Sequence, residues 1–171
     1  MSSVRYLLRF GILLCLLVPA AMAQTGVTCT AFVANQPTLR QEGASEQAGD
    51  ILVTCNGTAL GAQIGPQTLS LYVNGAAITS RPLFSGAAPS SAPTDATLLV
   101  NDCITGCATN FGPTQGFLQN GALVFSGFYL PNTPNVPFQI RITNLRVNAS
   151  QLPAGSFVTG TVLATFGIQN Q

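Results

Sequence analysis

Histidine, lysine and tryptophan do not occur in this 171-residue chain, and Asp, Glu and Arg together make up only 6% of it, against roughly 25% charged residues in an average soluble domain. Without His or Lys the commonest general bases and the amine nucleophile are missing, so a Ser or Thr hydroxyl has no base to take its proton. Six arginines scattered from Arg5 to Arg146 form no footprint for nucleic acid. Neither phosphate cradle, G-x-x-x-x-G-K-[ST] or G-x-G-x-x-G, is present. The D-[TS]-G tripeptide of aspartic proteases is absent too. Five acids always supply some pair of carboxylates for glycan hydrolysis, so that pattern carries no information. The composition argues against an enzyme.

What is present begins with an address. Arg5 and Arg9 precede the apolar run Phe10 to Val18, and Ala21-Met22-Ala23 supplies a small-x-small cleavage pattern. Residues 1–23 are therefore expected to be a secretory signal peptide, leaving Gln24 at the new N-terminus. The run is too short to cross a hydrocarbon core of about 30 Å, and no second stretch of membrane length follows. Leu14 before Cys15 does not suit a lipoprotein signal. Residues 24–171 then carry four Arg and five acids, a net charge of −1, and read as one domain, secreted or held at the cell surface.

Four cysteines remain after the signal: Cys29, Cys55, Cys103 and Cys107. An even number in an exported chain reads as two disulfides. Of three possible pairings, Cys29–Cys55 with Cys103–Cys107 is favoured, because Ile104-Thr105-Gly106 can turn the chain between the second pair. Zinc would want His or paired C-x-x-C knuckles, and neither exists.

Periodicity is strand-like. Leu69, Leu71 and Val73 alternate with Thr68, Ser70 and Tyr72, and Phe138, Ile140 and Ile142 alternate with Gln139, Arg141 and Thr143 in a segment running to Val147. The last strand, Phe157 to Gln169, places Val158, Val162, Ala164, Phe166 and Ile168 on one face. Val27–Val33, Ile51–Cys55 and Thr97–Val100 are further strands. Asn74-Gly75 and Asn120-Gly121 each predict a type I′ hairpin. Eight or nine short strands between Gly-, Pro-, Ser- and Asn-rich connectors, with no sustained helical period, predict an all-β antiparallel sandwich, immunoglobulin-like or related, over residues 24–171. The aromatics Tyr72, Phe84, Phe111, Phe117, Phe125, Phe128, Tyr129 and Phe138 read as core rather than as a sugar-binding platform. Asn56-Gly57-Thr58 and Asn148-Ala149-Ser150 match the glycosylation triplet but are expected by chance in such a chain.

The densest charge lies between Arg40 and Asp50. Glu42, Glu46 and Asp50 form a charge cluster, and a calcium site made of them, with Asp95 or Asp102 as a further ligand, is one reading. No EF-hand run supports it, and Gly43 and Gly49 break the helix that would align them. The competing reading pairs Arg40 or Arg141 with Glu42 or Glu46 and lets Asp50 open the strand at Ile51. No other cofactor is implied.

Three blocks resemble a family. Arg40-Gln41-Glu42-Gly43 to Glu46, then Gly49-Asp50-Ile51 and Thr54-Cys55-Asn56-Gly57, is similar to an R-x-E-G…E…G-D-[IL]…C-x-G pattern. Arg141-Ile142-Thr143-Asn144-Leu145-Arg146-Val147-Asn148-Ala149 resembles R-I-T-N-[IV]-R-x-N-A, and Asn74 to Arg81, with Ile78-Thr79-Ser80-Arg81, resembles an N-x-x-[IV]-T-S-R segment with one residue more after Asn74. These are patterns of uncharacterised secreted bacterial β-domains, and the resemblance implies an exported module without established activity. A weaker similarity, to chaperone–usher pilins, rests on the disulfides, the low charge and the alternating last strand, although Asn170 stands where pilins carry an aromatic. The expectation is a non-enzymatic structural or adhesive surface module whose partner is a surface protein or a glycan, with self-association through unguarded strand edges. A fimbrial subunit and a calcium-dependent glycan-binding domain are the alternatives.

Overall fold

Alternating apolar and polar residues produce strands throughout the computed structural model, which describes residues 28–34, 37–56, 64–84, 92–107, 111–131, 136–153 and 158–165. The expected signal peptide 1–23, the Gly57-Thr58 part of one glycosylation triplet and the end of the last strand from Phe166 lie outside the described residues. The strands are β1 (Thr28–Ala34), β2 (Glu46–Gln47), β3 (Asp50–Asn56), β4 (Ile64–Val73), β5 (Pro93–Val100), β6 (Thr114–Gln119), β7 (Ala122–Leu130), β8 (Phe138–Thr143), β9 (Arg146–Val147) and β10 (Gly160–Thr165). One short 3-10 turn, Ala149–Gln151, is the only helical piece among the described residues. Eight strands join a single antiparallel sheet in the order β1-β3-β8-β5-β6-β7-β4-β10, which curls until it is nearly closed into a barrel. β2 and β9 pair separately.

The enclosed core is built from every second residue. Ile51, Val53 and Cys55 of β3, Leu69 and Leu71 of β4, Ala96, Leu98 and Val100 of β5, and Phe138, Ile140 and Ile142 of β8 are all buried together. β7 needs a correction of phase to contribute four large side chains. Its partner β4 sets Gln67 opposite Phe128 and Thr68 opposite Ser126, so Gly127 is the extra residue of a bulge. Gly127 takes φ 83, a conformation costly for any residue with a Cβ. The inward phase thereby shifts from Leu123 and Phe125 to Phe128 and Leu130, and all four are buried.

The hairpin expected at Asn120-Gly121 forms between β6 and β7, with Gln119 opposite Ala122 and φ 49 and 77 at the two turn residues. Asn74-Gly75 does not make one. Both flanks of β4 are taken, by β7 and by β10, so the arm after Gly75 has no side to fold back on. Asn74 N–H instead donates to the Thr159 carbonyl, and Ile78 bridges to Val147. The strand expected from Phe138 to Val147 is also interrupted. Asn144 adopts φ 59, ends β8 and redirects Arg146–Val147 onto Glu46–Gln47.

Both disulfides form as favoured. Cys29 and Cys55 stand directly opposite each other on β1 and β3, with Cα atoms 4.0 Å apart. Cys103 and Cys107 close a short loop after β5, with Cα atoms 5.7 Å apart. No helix among the described residues is long and apolar enough to cross a membrane.

Candidate functional site

The blocks that carry the resemblance meet around β9. Gly43 N–H donates to the Arg40 carbonyl and closes the turn Arg40-Gln41-Glu42-Gly43. The Gly43 carbonyl then accepts from Ala149 N–H at 2.9 Å and Ser150 N–H at 3.3 Å, the free amides opening the 3-10 turn. Asn148 caps that turn by accepting from Ser150. A Cβ on Gly43 would meet the Glu46 side chain, which would have to move to admit it. From the second block, Arg146 and Val147 pair with Gln47 and Glu46. From the third, Thr79 N–H donates to the Arg146 carbonyl and the Ala77 carbonyl accepts from Asn148 N–H. Buried Ser80 links them by accepting from Arg146 N–H at 3.1 Å.

Charge at this junction is spent internally. Asp95, on β5, accepts from both the backbone N–H and Nε of Arg81, at 2.8 and 3.3 Å. Its Oδ2 also lies 3.7 Å from Arg146 Nε, a buried nitrogen with no hydrogen-bond partner among the described residues. One mostly buried carboxylate therefore balances two guanidinium groups. On the neighbouring strand, Arg141 makes a two-pronged contact with Asp102, Nε to Oδ1 at 2.6 Å and Nη2 to Oδ2 at 3.0 Å, and its Nη1 reaches Asp50 at 3.3 Å. The hydrogen bonds that Arg141 donates to Asp102 hold its guanidinium above its ordinary pKa, with desolvation opposing and the charge of Asp102 and the contact with Asp50 adding to the rise. Asp102 and Asn101 both have positive φ, and Asn101 Oδ1 accepts from Gln139 N–H, which fixes the turn that presents Asp102.

Glu42 lies in the turn closed by Gly43, Glu46 on β2 and Asp50 at the start of β3. Among the described residues no group of three His, Cys, Asp or Glu side chains is placed to hold a metal ion. Asp50 opens β3 as expected. Arg141 is an ion-pair partner, but of Asp50 and Asp102 rather than of Glu42 or Glu46, because β8 runs beside β3 and β5. Asp95 and Asp102, considered for calcium, face arginines instead. An open hollow of about 280 Å³ lies at the end of β1, lined by Ala34, Pro37, Gln47, Ala48, Gly49 and Asp50. It holds no aromatic platform and its one acid is engaged. Of the aromatics, Phe125, Phe128 and Phe138 are core, whereas Tyr72 and Phe84 are exposed.

The eight-stranded sheet has two edges. β1 and β10 end the strand order, and among the described residues neither has a second neighbour. Five of the seven residues of β1 are exposed. Phe32 on β1 and Leu163 on β10 are more than half exposed, at 52% and 59%. The alternation of the last strand foretold an inner and an outer face, but not that β10 would be an edge. Compared with protein-family models, curated proteins and solved structures, the chain matches none.

Proposed function

We propose that this chain is a secreted, non-enzymatic module of the cell surface that acts by contact, as a structural or adhesive β-domain. The observation that carries the reading is the state of its ionisable groups. His and Lys are absent from the sequence, and four of the described charged groups around β5 and β8 are turned on one another, Asp95 with Arg81 and Asp102 with Arg141. With these carboxylates engaged by guanidinium groups and no His or Lys in the chain, general acid–base chemistry has little to draw on. Unguarded strand edges offer instead the means by which extended segments bind.

The two-layer reading of the fold belongs with this proposal. β1-β3-β8-β5 and β6-β7-β4-β10 would be the layers. Their corner is the β5–β6 pairing, where the register breaks between Pro93 and Thr97, and sheets turn corners at such irregularities. Export, the signal peptide and the likeness to secreted bacterial β-domains stand on the sequence patterns described above.

The test is genetic and biochemical together. Deleting the gene from the producing cell is expected to reduce attachment of those cells to glass or to one another at unchanged growth. The protein, begun at Gln24, is expected to be digested by protease added to intact cells. Protease-resistant protein retained inside the cell, or attachment that is unchanged by the deletion, refutes the proposal.

A further inference from the structure

We infer that two copies of this chain pair through the seam between β1 and β10, β1 of each copy lying antiparallel to β10 of the other. The inference rests on the contact-acting reading and names its partner. The seam is apolar and open. Ala31, Phe32, Val33, Ile51, Leu71 and Val162 line a hollow of about 60 Å³ between the two edges, room for one aliphatic side chain. Val33 and Val162 are partly buried against the core from opposite sides of it.

Three observations select a second copy as occupant. The first is strand sense. Every pairing in the eight-stranded sheet is antiparallel, so with an even number of strands β1 and β10 run in opposite directions. A lone strand entering the seam would be parallel to one edge. A copy related by a two-fold axis along the strands presents its β10 to β1 and its β1 to β10, antiparallel at both, and leaves no edge unpaired. The second is charge. Neither TCTAFVA of β1 nor GTVLAT of β10 contains a charged residue or a proline, the devices by which soluble monomers block edge pairing. Asp50, opposite Ala34 at the end of β1, is already paired with Arg141. A charged partner finds no counter-charge there, whereas the chain's own edges are neutral. The third is the outward face. Leu52 opposite Phe32 is buried although Phe32 is exposed, and Tyr72, 43% exposed, sits opposite Thr161 beside Leu163. Pairing β1 to β10 of the copy sets Phe32 and Leu163 on one face, where each covers the other.

Sedimentation equilibrium of the oxidised, secreted full chain tests this. The wild type is expected at twice the chain mass. Phe32→Lys and Leu163→Glu each change an exposed side chain outside the core, so both variants fold. Each is expected to weaken the dimer about 100-fold, because a two-fold interface carries the change twice. Mixing the two variants is expected to restore a dimer, since F32K on one copy then faces L163E on the other. A monomeric wild type, a dimer indifferent to both substitutions, or a mixture that stays monomeric overturns the inference. A monomer that still mediates cell attachment refutes the pairing and leaves the proposed function standing; a dimer whose deletion leaves attachment unchanged does the reverse.

Discussion

Removing the disulfide between β1 and β3 is expected to cost more than removing the one in the short loop, and to act on β1 before the rest of the molecule. Cys29 and Cys55 are 26 residues apart in sequence, and Cys103 and Cys107 only four. The loop-closure entropy of the unfolded chain then makes the first bond worth about 3.5 kcal/mol and the second about 2 kcal/mol. Local structure widens the difference. Among the described residues β1 is held on one side alone, by β3, and buries little of its own surface, while Cys55 is fully enclosed in the core. For a domain of this size each kcal/mol lowers the melting temperature by about 2–4 °C. Cys29→Ala/Cys55→Ala should therefore melt about 7–14 °C below the wild type, and Cys103→Ala/Cys107→Ala about 4–8 °C below it. Calorimetry measures both. Amide exchange should show residues 28–34 of the first variant opening well below its melting temperature. Equal losses from the two variants, or a first variant whose β1 stays as protected as β8, would refute the reasoning.

Three further outcomes follow from the packing. Asp95→Asn removes the balancing charge of Arg81 and Arg146 and should destabilise by about 1–3 kcal/mol in urea denaturation, an effect that largely survives moderate salt because Arg146 is partly buried. Gly127→Val forces a β-branched residue to φ 83 in the bulge of β7 and should cost about 2 kcal/mol or more, whereas Gly112→Ala, with nothing within 4 Å of the added methyl, should lie within about 0.5 kcal/mol of wild type. Ile140→Ala, in the fully buried row of β8, should lose about 2–5 kcal/mol by leaving a cavity.

Much of the sheet was legible because a strand's inner face recurs every second residue. Phe138, Ile140 and Ile142 needed no tertiary information to be assigned inward, and Asn120-Gly121 sat between two free strand ends. The same dipeptide at Asn74-Gly75 misled because a hairpin needs an open flank, and whether β4 has one depends on β10, nearly a hundred residues downstream. Asn144 likewise adopts positive φ without Gly to announce it, and splits β8 from β9. The ion pairs were hidden for a related reason. Arg141 meets Asp102 and Asp50 only because β8 is threaded between β3 and β5, a strand order that no local pattern encodes. Local spacing suggested a carboxylate cluster at Glu42, Glu46 and Asp50; the fold spends Asp50 on Arg141 and turns the Arg40–Gly43 segment into a dock for the amides of Ala149 and Ser150. The R-x-E-G, I-T-S-R and R-I-T-N blocks, far apart in sequence, converge on Arg146–Val147 in one hydrogen-bonded junction.

The most direct measurement of whether this protein works through its sheet edge is hydroxyl-radical footprinting of the chain diluted until it sediments as a monomer and in place on the producing cell. Phe32, Tyr72 and Leu163 should be labelled in solution and shielded on the cell, while the exposed Leu83 and Ile104 stay labelled in both. Equal labelling of Phe32 and Leu163 in the two settings, with shielding elsewhere, would contradict the account.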